Sequence, residues 1–155
     1  MTQLFESISE LNSLVKSIED FYHELALSLS LSDCAFDILY AVTELGDGCL
    51  QRDICRKMAC PKQTVNSAMK RLVQEGLLRM EAGRGREMQI FLTERGRQYM
   101  DERFDSVIRL ENAAYSAFTK EEWGEYIRLT RKHLGALRQC RKALAADDER
   151  RNPCK

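Results

Sequence analysis

Between Lys62 and Gln74 the chain carries two sets of side chains with different chemistry. Val65, Ala68, Met69, Leu72 and Val73 recur at three- and four-residue spacing, so at ~100° per residue they share one side of a helix. Gln63, Asn66, Ser67, Lys70 and Arg71 fall on the opposite side, Lys62 and Thr64 lie at the helix start, and none of the seven is acidic. Amide, hydroxyl and cationic groups on one face are the groups that meet base edges in a DNA major groove. Asn and Gln pair with adenine, Lys reaches guanine acceptors, and Ser or Thr serves either. The free N–H groups of the first helical turn add a place for a phosphate. A solvated face on an ordinary surface helix has the same composition, so this helix alone does not decide the function.

Further along, Ala82-Gly83-Arg84-Gly85-Arg86 joins two short apolar runs. Arg84 and Arg86 on such a tip have no apolar surface to cover, and guanidinium groups there reach an adjacent minor groove or its phosphates. A solubilising loop is the plainer alternative. The six cysteines include Cys55 and Cys60, which have Arg56, Lys57 and Lys62 close in sequence. Neighbouring cations favour the thiolate, which makes this pair a candidate for oxidation sensing; small buried side chains are the plainer reading. There is no C-x-x-C pair, and His23 and His133 lie far in sequence from any cysteine cluster, so no metal site and no cofactor are expected. No glycine-rich phosphate loop occurs, nor a histidine matched to a nucleophile, so the chain does not read as an enzyme.

At 155 residues, 44% hydrophobic and 31% charged, the chain fits one globular domain with a real core. No apolar run approaches the roughly 20 residues of a membrane helix. The N-terminus lacks a basic segment followed by an apolar one, so a cytoplasmic location is expected and no membrane partner. The net charge of zero hides a division. Residues 1–49 hold one lysine against nine acidic residues, and residues 50–97 hold eleven Lys/Arg against five acidic ones. Residues 98–155 are nearly balanced, with twelve basic and ten acidic. One basic segment is enough for a phosphate-contacting face.

The elements that must position these groups follow from periodicity. Leu4, Ile8, Leu11, Leu14, Val15, Ile18, Phe21, Tyr22, Leu25 and Leu29 mark an amphipathic first helix. Ser32 caps a second helix that ends at Gly46 and Gly48. A short helix over about Leu50–Met58 precedes the two-faced helix, with Pro61 at the latter's first helical position and Gly76 as its stop. Residues 77–81 and 87–92 then change to a strand pattern, a hairpin around the arginine tip. Thr93 caps a helix of roughly 25 residues. Thr119-Lys120-Glu121-Glu122 is a capping box that opens the last one. The fold class is therefore mainly α with a small β-hairpin wing: a winged helix-turn-helix with long terminal helices. The division expected is 1–30, 31–96, 97–148 and a frayed tail over 149–155.

In order and spacing, these landmarks resemble the multiple-antibiotic-resistance regulator (MarR) family. The matching features are Leu31-Ser32, Leu50 with Asp53-Ile54, and Lys62-Gln63-Thr64-Val65-Asn66. They continue with Leu72 through Glu75-Gly76-Leu77-Leu78, and Leu92-Thr93-Glu94-Arg95-Gly96. The resemblance implies a homodimer whose terminal helices intertwine and whose two recognition helices and wings meet a pseudo-palindromic operator in double-stranded DNA. It implies a repressor relieved by a small aromatic or phenolic ligand, and Tyr22, Phe36 and Tyr40 are candidates to line that pocket. Arg86 matches the family's wing arginine, whereas Arg84 stands where most members have aspartate. Independently, the terminal helices are longer than one small lobe can cover. Their stripe of Tyr99, Phe104, Val107, Ile108, Leu110, Tyr115 and Phe118 calls for a partner. A winged-helix protein-interaction module without a DNA target is the alternative from a different class.

Overall fold

The computed structural model describes residues 3–58, 60–85 and 87–151, with side chains described within them from 6 to 145. The chain divides into two compact units, Met1–Ile108 and Arg109–Lys155. In the first, α1 (Gln3–Ser28) ends against α2 (Asp33–Leu45). Ser32 caps α2, its hydroxyl accepting from Ala35 N at 3.3 Å, and Asp33 complements the helix dipole in the first turn. The apolar face of α2 is buried from Cys34 to Val42, which makes it the centre of the core. Around it pack Ile54, Val65, Met69, Leu72, Leu78 and Ile90, all at most 1% exposed. Burying each such side chain contributes roughly 1.5–3 kcal/mol.

Two short helices follow, α3 (Gln51–Lys57) and α4 (Lys62–Gln74), and a hairpin of β2 (Leu78–Ala82) and β3 (Met88–Leu92) forms the wing. The expected two-stranded wing has a third member, β1 (Cys49–Leu50), so the antiparallel sheet order is β1-β3-β2. Cys49 pairs with Ile90 and Leu50 with Gln89. A two-residue strand shows no alternation, so Leu50 reads as the start of α3. Pro61 is also displaced from its expected place. It precedes the first turn of α4 with ψ 137°, and its carbonyl accepts from Val65 N at 3.1 Å. At the other end Gly76, with φ +72°, closes α4 as expected. Leu77 N bonds back to Leu72 O at 2.9 Å and Gly76 N to Val73 O at 3.0 Å.

Thr93 caps α5 (Glu94–Tyr99), accepting from Gly96 N at 2.9 Å. The same hydroxyl donates to Gly76 O at 2.5 Å, so one side chain joins the end of α4 to the start of α5. Thr93→Ala is expected to lower unfolding free energy by about 2 kcal/mol, with Thr93→Ser retaining most of it, as read by urea denaturation. The single long helix expected after Thr93 is broken. A π-helical turn, Met100–Phe104, separates α5 from α6 (Asp105–Tyr115). The wide turn shifts the phase of the apolar stripe and puts Phe104, fully buried, against Phe36 at 5.2 Å and Tyr40 at 6.2 Å between centroids. Phe104 and Val107 therefore belong to this unit's own core and need no partner chain, unlike the sequence-based expectation. Leu110, Tyr115 and Phe118 are exposed.

The second unit is dominated by α7 (Lys120–Arg151). Its capping box forms as the pattern predicts: Glu122 N donates to Thr119 Oγ1 at 3.2 Å and Thr119 N to Glu122 Oε2 at 2.8 Å. Trp123 gathers Tyr115, Phe118 and Tyr126 at centroid distances of 4.6, 5.2 and 5.4 Å. The tail expected from 149 is helical as far as Arg151. No single helix among the described residues is long and apolar enough to cross a membrane.

Candidate nucleic-acid interface

The two faces read from the sequence of α4 are present in space. Val65, Ala68, Met69 and Leu72 are buried; Val73, assigned to the same side, is partly exposed near its edge. Lys62, Gln63, Thr64, Ser67, Lys70 and Arg71 are exposed, and Asn66 is half-buried. Their local partners differ. Arg71 Nε donates to Glu75 Oε1 at 2.8 Å, so its charge is largely matched within the helix. The Ser67 hydroxyl donates back to Gln63 O at 3.1 Å. Lys62 and Lys70 have no carboxylate partner among the described residues. They are the charges this face holds ready for an anion.

The wing stands beside that helix. Arg84 is exposed at its tip, where Gly83 N bonds to Glu87 O at 2.8 Å and Glu87 N to Arg84 O at 3.3 Å. Arg86 lies outside the described residues. Arg52 of α3 forms an ion pair with Glu87, and this tethers the wing's return strand to the helix-turn-helix. At the wing's base Arg79 pairs with Glu81 and lies 4.3 Å over the Phe91 ring. A groove of about 420 Å³ runs between the two parts, lined by Gln51, Arg52, Lys62, Asn66, Glu87 and Met88 among others. The sequence singled out neither Gln51 nor Arg52, because each acts through a residue distant in the chain.

Residues 28–87 match a MarR-family sequence model. That segment belongs to the MarR family. No curated protein sequence matches the chain. Among solved structures it is similar to NMB1585, a MarR family regulator from Neisseria meningitidis. The identity is 23%, the TM-score 0.71, and the match covers 92% of this chain and 98% of that one. It is also similar to the PcaV transcriptional regulator from Streptomyces coelicolor, solved with its natural ligand. There the identity is 18%, the TM-score 0.61, and the coverage 80% and 91%. A third is the organohalide-sensing regulator RdhR-CbdbA1625 in its 2,4-dichlorophenol-bound form, 21% identical with a TM-score of 0.60, covering 90% and 82%. At these identities the structures establish the fold: a MarR-type winged helix.

Just before and into the MarR-family segment, the three aromatic residues proposed for a ligand pocket come together. Tyr22 and Phe36 rings lie 6.4 Å apart, and Phe36 and Tyr40 rings 6.2 Å apart. Phe36 is buried, and Tyr22 and Tyr40 are half-buried. A cavity of about 680 Å³ between α1 and α2 is lined by Tyr22 and Phe36 but not by Tyr40. Its rim is charged: Lys16, Glu19, Asp20, His23, Asp33 and Asp37. His23 Nδ1 and Asp33 Oδ1 are 2.8 Å apart. Burial, and then the Asp33 carboxylate, push the Asp37 carboxyl above its ordinary range.

Cys55 and Cys60 are both half-buried beside the MarR-family helix-turn-helix, and a third thiol, that of Cys34, lies with them. Burial first, then Cys60, push the Cys34 thiol up to about 11. At neutral pH Cys34 is therefore the thiol, the unreactive form. The sequence reading pairs Cys55 with Cys60. Cys34 was out of reach of that reading, since α2 brings it there across the fold.

Proposed function

We propose that this chain is a DNA-binding transcription regulator, acting as a homodimer on a pseudo-palindromic operator. The observation that carries this reading is the outward face of α4. Lys62 and Lys70 stand there without carboxylate partners among the described residues, next to a wing tipped by Arg84. Buried packing on the other side of α4 fixes that face rigidly, as groove recognition requires. Gln63, Thr64, Asn66 and Ser67 are the base-reading candidates, and Lys62, Lys70, Arg71, Arg84 and Arg86 the phosphate or minor-groove contacts. Exposed apolar side chains on α1 (Ile8, Leu11, Leu14, Val15, Ile18) and on α7 (Ile127, Leu134, Leu137) support the homodimer, because a lone chain leaves them to water.

The regulator acts as a repressor in the cytoplasm, released by a small aromatic ligand bound near Tyr22 and Phe36. PcaV's natural-ligand complex and the 2,4-dichlorophenol complex of RdhR-CbdbA1625 are precedents on this fold. The acidic rim of the cavity here favours a neutral phenol over a carboxylate.

Selection of bound sequences from a random duplex pool, followed by a salt titration on the winner, tests the reading. An inverted-repeat sequence is expected, with a log–log salt slope of about −0.9 per phosphate neutralised. A pool that yields no enriched sequence, or binding with no salt dependence, overturns it in favour of a protein-interaction module.

A further inference from the structure

Asn66, half-buried on α4, has a side chain engaged by another element of the lobe. Gln51 Nε2 donates to Asn66 Oδ1 at 2.9 Å. Gln51 is the first residue of α3 and directly follows β1, whose Leu50 is paired with Gln89 of the wing. Its backbone is thus held by a strand-to-helix junction, and the donor is held where it is by the fold. A carboxamide has an acceptor end and a donor end. With Oδ1 engaged by Gln51, Nδ2 carries two N–H donors that have no partner among the described residues. Bidentate pairing of asparagine with adenine needs both ends aimed at the base, acceptor to N6 and donor to N7, and an Oδ1 that points to Gln51 is not aimed there, although its second lone pair is unused.

We propose that Gln51 is a positioning residue that sets base preference through Asn66, turning its donors outward and selecting guanine, whose N7 and O6 are both acceptors. Adenine and cytosine present an amino donor at the corresponding edge, which opposes the Asn66 N–H groups. This inference rests on the DNA-binding reading above. It also replaces the adenine pairing that the residue type alone suggests for Asn66.

Base selection from a randomised duplex pool tests it, with wild type, Asn66→Ala, Gln51→Ala and Gln51→Glu compared and thermal unfolding run alongside. The operator position that loses its preference in Asn66→Ala identifies the base Asn66 meets. Guanine is expected there for wild type. Gln51→Glu replaces the donor by an acceptor, so the Asn66 carboxamide reverses, Nδ2 bonding to the new carboxylate and Oδ1 facing out. Preference is then expected to move to adenine or cytosine by about tenfold. Gln51→Ala frees the carboxamide and admits both classes. The added carboxylate lowers overall affinity, so the ratio between bases at that position is the readout, and a merely structural Gln51 would leave that ratio unchanged. Wild-type preference for adenine there, or Gln51 variants that fold and keep the wild-type ratio, overturns the inference while leaving DNA binding intact. A wild-type protein that selects no sequence removes the DNA-binding reading and this inference with it.

Discussion

Replacing Lys62 and Lys70 together by alanine is expected to reduce operator affinity by roughly 10³- to 10⁴-fold at about 0.1 M salt. A homodimer presents each lysine twice, so four phosphate contacts are lost, and counterion release makes each worth nearly tenfold under those conditions. The salt slope is expected to become shallower by about 3 to 4, and by half that amount for a monomer, so one titration also reports the number of recognition helices engaged. The loss is expected to be equal on specific and random duplexes, since point charges on phosphates carry no sequence information. Both side chains are exposed and lack carboxylate partners among the described residues, so unfolding free energy is expected to change by no more than about 0.5 kcal/mol. Arg71→Ala is the internal comparison. Its guanidinium is already matched by Glu75 at 2.8 Å, so contact with a phosphate must first break that pair, and a smaller slope change is expected. Full-strength binding by the Lys62→Ala, Lys70→Ala double variant would move the interface away from this face of α4.

Much of this arrangement was legible in the sequence, for a local reason. A cap, a stop glycine and an amphipathic face each depend on residues within one or two turns. Ser32, Thr93, Gly76 and the Thr119–Glu122 box could therefore be read directly, as could the opposed faces of α4. What was missed depends on contacts distant in the chain. β1 is two residues long and exists only because β3 is there to pair with it. The π turn at Met100–Phe104 leaves no periodic trace, since five residues are too few to establish a new phase; it is set by Phe104 reaching the Phe36 and Tyr40 rings. Cys34 joins Cys60 through the packing of α2. Gln51 lies fifteen positions from the asparagine it orients, and its residue type carries no signal of that role. The residue types that meet a groove are visible in a sequence. The second set that aims them is visible only in the fold.

The same limit applies to Gly96, which the sequence reading placed in a family landmark with no physical reason for a glycine. In the structure α5 crosses directly over the residue preceding β2. A Cβ at position 96 would lie 2.0 Å from the Leu77 carbonyl oxygen and 3.0 Å from its carbon. That oxygen cannot retreat freely, because it accepts from Thr93 N at 3.1 Å and lies 3.3 Å from the Thr93 hydroxyl that caps α5. Relief therefore requires α5 to lift from the base of the wing, undoing the Thr93 links to Gly76 and Leu77 together. Gly96→Ala is expected to destabilise the first unit by about 3 kcal/mol or more, the upper range for forcing atoms into packed space. This runs against the usual helix propensity, by which alanine gains roughly 1 kcal/mol over glycine inside a helix. Gly124→Ala in α7 supplies the contrast, since a Cβ there would have no neighbour within 4 Å among the described residues outside its own helix backbone, and the same substitution is expected to stabilise. Urea midpoints for the two variants should therefore move in opposite directions. A Gly96→Ala protein that unfolds at the wild-type midpoint would mean that α5 does not approach Leu77 this closely. The wing would then lose the support that holds Arg84 beside the recognition helix.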